Sequence, residues 1–370
     1  MRKSTLSKLY TIAITLAFVA SEVLLLNKKG GETTGAVFVI LGLLLAFILA
    51  PTVHELGHIV FAKCVNMQLQ YAKFFCFSVQ RVGGRYALKL VNPLLADEAQ
   101  VLPIGAENMK ARAQKYALGG LVFGGLFAVL LVVLAVALSL AQVENALILG
   151  MLPYSAYLFL LNVAPFPYAE GRTDTAVYLG IKKGEPMENA MLLAMQIQGG
   201  LSSGKTYEGL DEELFNFPVL PEDEPMYLIS WDLKYRLALA KWDLGKASYA
   251  LKKMAQSEAY FTSGEREKFA AELTYLHALN DDFEKANESS KYCEEFLKSE
   301  TAVAKRVLAT VAFCAGKFED AEILKESGMA LLSKMEIHGE RALEESLLSR
   351  INTSHLHTIK TENDYGTNNE

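Results

Sequence analysis

Positive charge is in short supply in this chain. It carries 36 lysines and arginines against 42 acidic residues, a net charge of −6 over 370 residues. Nucleic-acid binding needs a basic footprint, and no RNA- or DNA-binding motif is present, so that class of partner is excluded. Cysteine is scarce as well. Cys64, Cys76, Cys293 and Cys314 make no C-x-x-C pair and no secreted-type framework, which reads most simply as reduced thiols in a cytosol-facing protein. In the first half, charge of either sign is missing over long runs, whereas beyond about Lys182 the chain is charged, helical in pattern and soluble in character. That change of composition is the main domain boundary expected from the sequence.

Four runs are long enough to cross a bilayer. They lie at about Leu9–Leu26, Gly35–Cys64, Ala117–Ala141 and Asn145–Asn162, the last with Pro153 as an expected kink. The N-terminal run resembles a signal peptide in its basic start. It lacks a clean small-residue cleavage site and is interrupted by Glu22, so it reads as an uncleaved first span. Arg2, Lys3 and Lys8 precede the first span, and Lys73, Arg81, Arg85, Lys89, Lys110, Arg112 and Lys115 lie between the second and third. Basic loops stay cytoplasmic, which puts both termini of a multi-pass cell-membrane protein in the cytoplasm. Between spans two and three, Leu69–Leu90 alternates aromatic and aliphatic residues around Gly83-Gly84, a pattern expected of a membrane-associated β-hairpin. Such a hairpin either offers an edge strand to an extended substrate or simply lies on the bilayer.

The second span ends in His54-Glu55-Leu56-Gly57-His58. Histidines at i and i+4 project from one helix face and reach a single Zn²⁺, and the glutamate beside the first is placed to deprotonate a water activated by that metal. Ionisable groups at the end of an apolar span are costly to keep there without a role. A third protein ligand is required, usually a carboxylate or histidine. After the fourth span, Asn162-Val-Ala-Pro165-Phe-Pro167-Tyr-Ala-Glu170-Gly171-Arg-Thr-Asp174 breaks the helix, and only Glu170 and Asp174 lie on a loop able to reach back. Asp174 also suits the N-cap of a new helix. Asn162 is a candidate for holding the substrate strand or the oxyanion, with capping of the broken helix end as its alternative.

H-E-L-G-H in an apolar span, followed two spans later by Asn-x-x-Pro and a carboxylate, resembles the site-2 protease family of intramembrane zinc metalloproteases. The resemblance covers about Gly35 to Lys183. It implies His54 and His58 as zinc ligands, Glu55 as general base, and an aspartate after the Asn-x-x-Pro as third ligand. Glu170-Gly171 falls where the commonest family form has Asp-Gly. Thr173-Asp174 matches the later Ser/Thr-Asp-Gly spacing of Gram-positive bacterial members, with Thr175 replacing the glycine, so Asp174 is favoured over Glu170. Gly119-Gly120 resembles the entry of the family's next core helix without its proline. The implied activity is hydrolysis of a peptide bond in a membrane-anchored protein or peptide near the cytoplasmic face. No PDZ-like insertion is present.

In the second half, Leu244-Gly-Lys-Ala247, Phe283-Glu-Lys-Ala286 and Phe318-Glu-Asp-Ala321 recur at 35 to 39 residues, each opening a helix behind an amphipathic one. That is the rhythm of tetratricopeptide-like helical hairpins, which most often bind peptides or partner proteins, a structural cap being the alternative. The expected architecture is therefore mainly α. A polytopic membrane helix bundle with a small β-hairpin occupies residues 1–183 and a helical linker residues 184–225. A soluble α-helical hairpin-repeat domain occupies residues 226–350, and a polar tail, disordered by composition, residues 351–370. The competing function from the binding class is a membrane-tethered helical-repeat adaptor with a vestigial or regulatory metal site. A transporter is disfavoured, because no inverted repeat is visible.

Overall fold

The computed structural model describes residues 3–29, 33–82, 84–168 and 171–351. Helices dominate. In chain order the elements of the first half are α1 (Lys3–Lys29), α2 (Thr33–Cys64), β1 (Met67–Phe74), β2 (Phe77–Val82), β3 (Arg85–Leu90), β4 (Glu98–Pro103), α3 (Met109–Leu140), α4 (Ala146–Val163), β5 (Pro167–Tyr168), β6 (Gly171–Arg172), α5 (Asp174–Lys183) and α6 (Pro186–Ser202). The chain forms two compact units, Met1–Met195 and Gln196–Glu370, divided within α6.

In the first unit, four helices are long and apolar enough to cross a membrane: Thr5–Lys28, Thr34–Cys64, Met109–Leu140 and Ala146–Val163. Helices α2, α3 and α4 pack on one another through Ala46, Leu131 and Met151, with Phe127 and Tyr154 against them. Lower down, α2 meets α3 at a contact made almost of backbone. A side chain at Gly57 would collide with the Gly119 carbonyl, and one at Gly119 with the Gly57 carbonyl. Outward-facing residues such as Leu16, Leu24, Leu126 and Val129 are exposed, so the bundle carries an apolar surface.

The sequence pattern underestimated the sheet. The hairpin expected over Leu69–Leu90 is three strands, not two, and a fourth joins them in the antiparallel order β3-β2-β1-β4. The β2–β3 pairing runs from Phe77–Leu90 to Val82–Arg85, and Gly84, directly before Arg85, takes φ 77°. The missed turn lies at Phe75-Cys76, where no Gly, Asn, Asp or Pro marks it. Phe75 takes a left-handed φ of 48°. Asp97, 22 residues further on, accepts a hydrogen bond from its backbone N–H at 2.7 Å. A tertiary partner replaces the local turn chemistry.

Helix α3 begins at Met109, earlier than the apolar run starting at Ala117. Its first turns are polar, and Arg112 anchors them by donating to the carbonyls of Val65 (2.8 Å), Asn66 (2.7 Å) and Gly105 (2.8 Å). Ala62, Val65, Met67 and Met109 bury the junction, with Leu192 and Met195 of α6 packed against it.

The second unit continues from the end of α6 through α7 (Pro225–Ala240), α8 (Leu244–Met254), α9 (Ser263–Leu279), α10 (Phe283–Ser290), α11 (Glu294–Leu297), α12 (Ala302–Cys314), α13 (Phe318–Leu331) and α14 (His338–Ser349). Each recurring motif opens the second helix of a hairpin: α8 at Leu244, α10 at Phe283 and α13 at Phe318. The turn before each contains a residue with positive φ, namely Trp242, Asp281 and Gly316. Asp243 and Asp282 then cap α8 and α10 by accepting from Lys246 and Lys285 backbone N–H groups. The polar tail, with His355 and His357, lies outside the described residues.

A charge sits at the centre of this unit. Arg306 of α12 is fully buried and donates to Glu344 of α14 and Glu272 of α9, both at 2.7 Å, while its guanidinium lies over the Tyr275 ring. Removing one partner of such a buried pair leaves the others uncompensated, at a cost of about 3–5 kcal/mol. Arg306→Met is therefore expected to lower the thermal transition of this unit by roughly 6–20 °C, measured by calorimetry of the full chain in detergent. An unchanged transition would show the network to be energetically neutral.

Candidate metal centre

Helix α2 presents His54 and His58 one turn apart, both buried, at 8% and 6% exposure. Their rings stand 5.0 Å apart. Asp174 reaches them from the far side of the broken segment after α4. Its Oδ2 lies 3.3 Å from His54 Nε2 and its Oδ1 3.3 Å from His58 Nε2. One donor atom from each of the three residues falls within 4.8 Å of the others.

The local sequence explains why Asp174 is free to do this. The helix that starts there is capped by Thr173, not by Asp174: the Thr173 hydroxyl accepts from the Ala176 N–H at 3.2 Å and donates to the Ala164 carbonyl at 2.5 Å. The capping role considered for Asp174 is thus filled by its neighbour, and its carboxylate points elsewhere. Before it, β5 and β6 pair Pro167 with Arg172 and Tyr168 with Gly171. Glu170, the alternative third ligand, lies outside the described residues.

The arrangement fits a metal ion on three grounds. The donor set is two imidazoles and a carboxylate, suited to zinc among other divalent ions. Asp174 Oδ2 is buried without a hydrogen-bond partner, an expensive state for a carboxylate unless a cation answers it. His58 Nδ1 lies 2.9 Å from the Tyr116 carbonyl. A carbonyl only accepts, so Nδ1 carries the proton and Nε2 presents its lone pair toward the other donors, as in outer-shell support of a metal-bound histidine.

Glu55 shares a cavity of about 330 Å³ with His58 and Asp174. Its walls are otherwise small or apolar (Ala99, Ala113, Ala117, Val177, Met191, Met195), apart from Asp97, Glu98 and Tyr116. Strand β4, at the edge of the sheet, supplies Glu98 and Ala99 to this wall. Two clamps hold it there. Tyr116 donates its hydroxyl to the Ala99 carbonyl at 2.9 Å. Asp97 accepts from buried Lys73 at 3.2 Å and from Thr52, on the helix that carries the histidines, at 3.4 Å. Neither Asp97 nor Tyr116 stands in a motif. The one clue was position: Tyr116 directly precedes the run containing Gly119-Gly120.

Asn162 is placed differently. Its side-chain amide donates to the Leu158 carbonyl of its own helix at 3.2 Å, and it is not among the residues lining the cavity. The structure therefore brings together His54, Glu55, His58 and Asp174, and leaves Asn162 bonded within α4.

No protein-family model, curated protein or solved structure matches the chain.

Gly120 gives a direct check on the donor cluster. A Cβ there would lie 2.5 Å from both His54 Cε1 and His58 Nε2. Such overpacking costs about 1–3 kcal/mol, and Gly120→Ala is expected to weaken metal binding roughly 10–100-fold with little change in helical content. Zinc per chain after equilibration with a competing chelator reads this out. Wild-type affinity in the variant would place the bound metal elsewhere.

Proposed function

We propose that the chain is an intramembrane zinc metalloprotease of the site-2 protease type, hydrolysing a peptide bond in a membrane-anchored protein or peptide. One observation carries the reading: a carboxylate from the first turn of α5 meets two imidazoles on a membrane-length apolar helix, with Glu55 in the cavity beside them. The resemblance of His54–His58 and the Asn162–Asp174 region to that family supports it. The cell membrane is the proposed location, with four spans and both termini cytoplasmic.

In this mechanism His54, His58 and Asp174 would hold the metal. Zinc in such a site supplies Lewis acidity and lowers the pKa of water toward neutrality. Glu55 takes the proton of the attacking water and passes it to the leaving amine. A helical substrate must first unwind, because its own hydrogen bonds shield the scissile carbonyl. The outer edge of β4 offers replacement backbone donors and acceptors beside the cavity, the strand-addition mode of peptide recognition. Small and apolar walls at Ala99, Ala113, Val177 and Met191 suit an uncharged side chain next to the cut.

The adaptor reading draws its support from the second unit, whose three successive helical hairpins fit a tetratricopeptide-like surface for a peptide or protein partner. Both readings keep that surface; they part over turnover.

Purified full-length chain in detergent, with a single-span model substrate, separates them. Glu55→Gln is expected to retain zinc and to lose at least ~100-fold in cleavage rate. Asp174→Asn is expected to lose both zinc and activity. Full cleavage by Glu55→Gln would remove Glu55 from the role of base. Wild type that holds zinc yet cuts none of a panel of single-span substrates would favour the adaptor.

A further inference from the structure

The corner that delivers Asp174 is fastened from outside the donor cluster. Arg172, two residues before Asp174, sends its Nη1 to Glu188 Oε1 of α6 at 2.7 Å and to Glu185 Oε2 at 3.2 Å. Glu188 is almost wholly buried, at 1% exposure, and its second oxygen has no hydrogen-bond partner. It lies against the backbone of α5 at Gly180, where any Cβ would fall 2.7–2.8 Å from both carboxylate oxygens. A buried carboxylate costs free energy that only its partners offset; here they are the N-terminal turn of α6, in which Glu188 sits, and the Arg172 guanidinium.

We propose that Arg172 and Glu188 form a positioning pair for Asp174, fixing the β6–α5 corner so that the carboxylate stands within reach of both histidines. The geometry supports this role because the corner has two anchor points on either side of one peptide. The Thr173 hydroxyl ties it to the end of α4, and Arg172 ties it to α6. With both in place the backbone entering Asp174 is tied to α4 and to α6 at consecutive residues. With only the first, the corner is held by Thr173 and by the Pro167–Arg172 strand pairing alone. Glu185, more exposed than Glu188, is the weaker arm of the fork. The role rests on the reading of His54, His58 and Asp174 as metal ligands.

Co²⁺ serves as the probe, bound to full-length protein in detergent and followed by its visible absorption. Glu188→Ala is expected to weaken Co²⁺ binding about 10–100-fold, the usual effect of losing an outer-shell support, and to dim the band as the carboxylate leaves. Glu188→Gln, which keeps a hydrogen-bond acceptor for Arg172, is expected to recover most of the affinity, and Arg172→Ala to behave like Glu188→Ala. Amide exchange over residues 172–178 in the metal-free protein is expected to speed up in the two alanine variants and not in Glu188→Gln. If wild type binds Co²⁺, Asp174→Asn does not, and Glu188→Ala binds as tightly as wild type with unchanged exchange, the positioning role is overturned while the metal reading stands. If wild type itself takes up no Co²⁺, the metal reading fails and the role falls with it.

Discussion

The burial of a carboxylate against two imidazoles, at the end of a helix that is otherwise apolar, is the constraint on which the first unit depends. None of the three groups is comfortable out of water alone. The histidines are held by α2, the His58 ring orientation by the Tyr116 carbonyl of α3, and the aspartate by the corner between β6 and α5. The same site thus fixes how α2, α3 and α5 meet. A change that loosens any one of them removes a donor and also releases a packing contact.

The sheet makes sense on the same terms. Lys73 and Asp97 are a buried ion pair, of the kind that adds little net stability but is costly to break. Here the pair does something spatial. Asp97 also binds the Phe75 backbone and Thr52, so one carboxylate closes the β1–β2 turn and sets the start of β4 against the helix bearing the histidines. The edge strand beside the cavity is held by polar clamps at its first residues.

Much of this was legible in the residues, and the remainder was not for identifiable reasons. The i, i+4 spacing of His54 and His58 announced a shared face because helical periodicity is local. The break after Asn162 was marked by Pro165 and Pro167, and the hairpins of the second unit by the repeated openings at Leu244, Phe283 and Phe318. By contrast, the turn at Phe75 carries no turn residue, since its partner is 22 positions away. Strand β4, Glu98–Pro103, is short and ends in a proline, so it does not stand out from a loop. The cap at Thr173 and the cap expected at Asp174 differ by one residue, and only the paired bonds to Ala164 and Ala176 decide between them. Arg306 reads in sequence as one more charge on an amphipathic helix, and its burial depends on Glu272 and Glu344, which no periodicity connects to it.

The near-naked crossing of α2 and α3 has a consequence for how accurately the imidazoles are held. Where helices meet through interdigitated side chains, rotamers supply slack, and a small shift on one side is absorbed on the other. At Gly57 and Gly119 there are no rotamers to supply it. The distance between the two helix axes is set by main chain touching main chain, and His58, the next residue along, inherits that stiffness without any intermediary. The tolerance of the site is then that of peptide geometry itself, and evolution can retune the surrounding cavity without moving the point at which the donors converge.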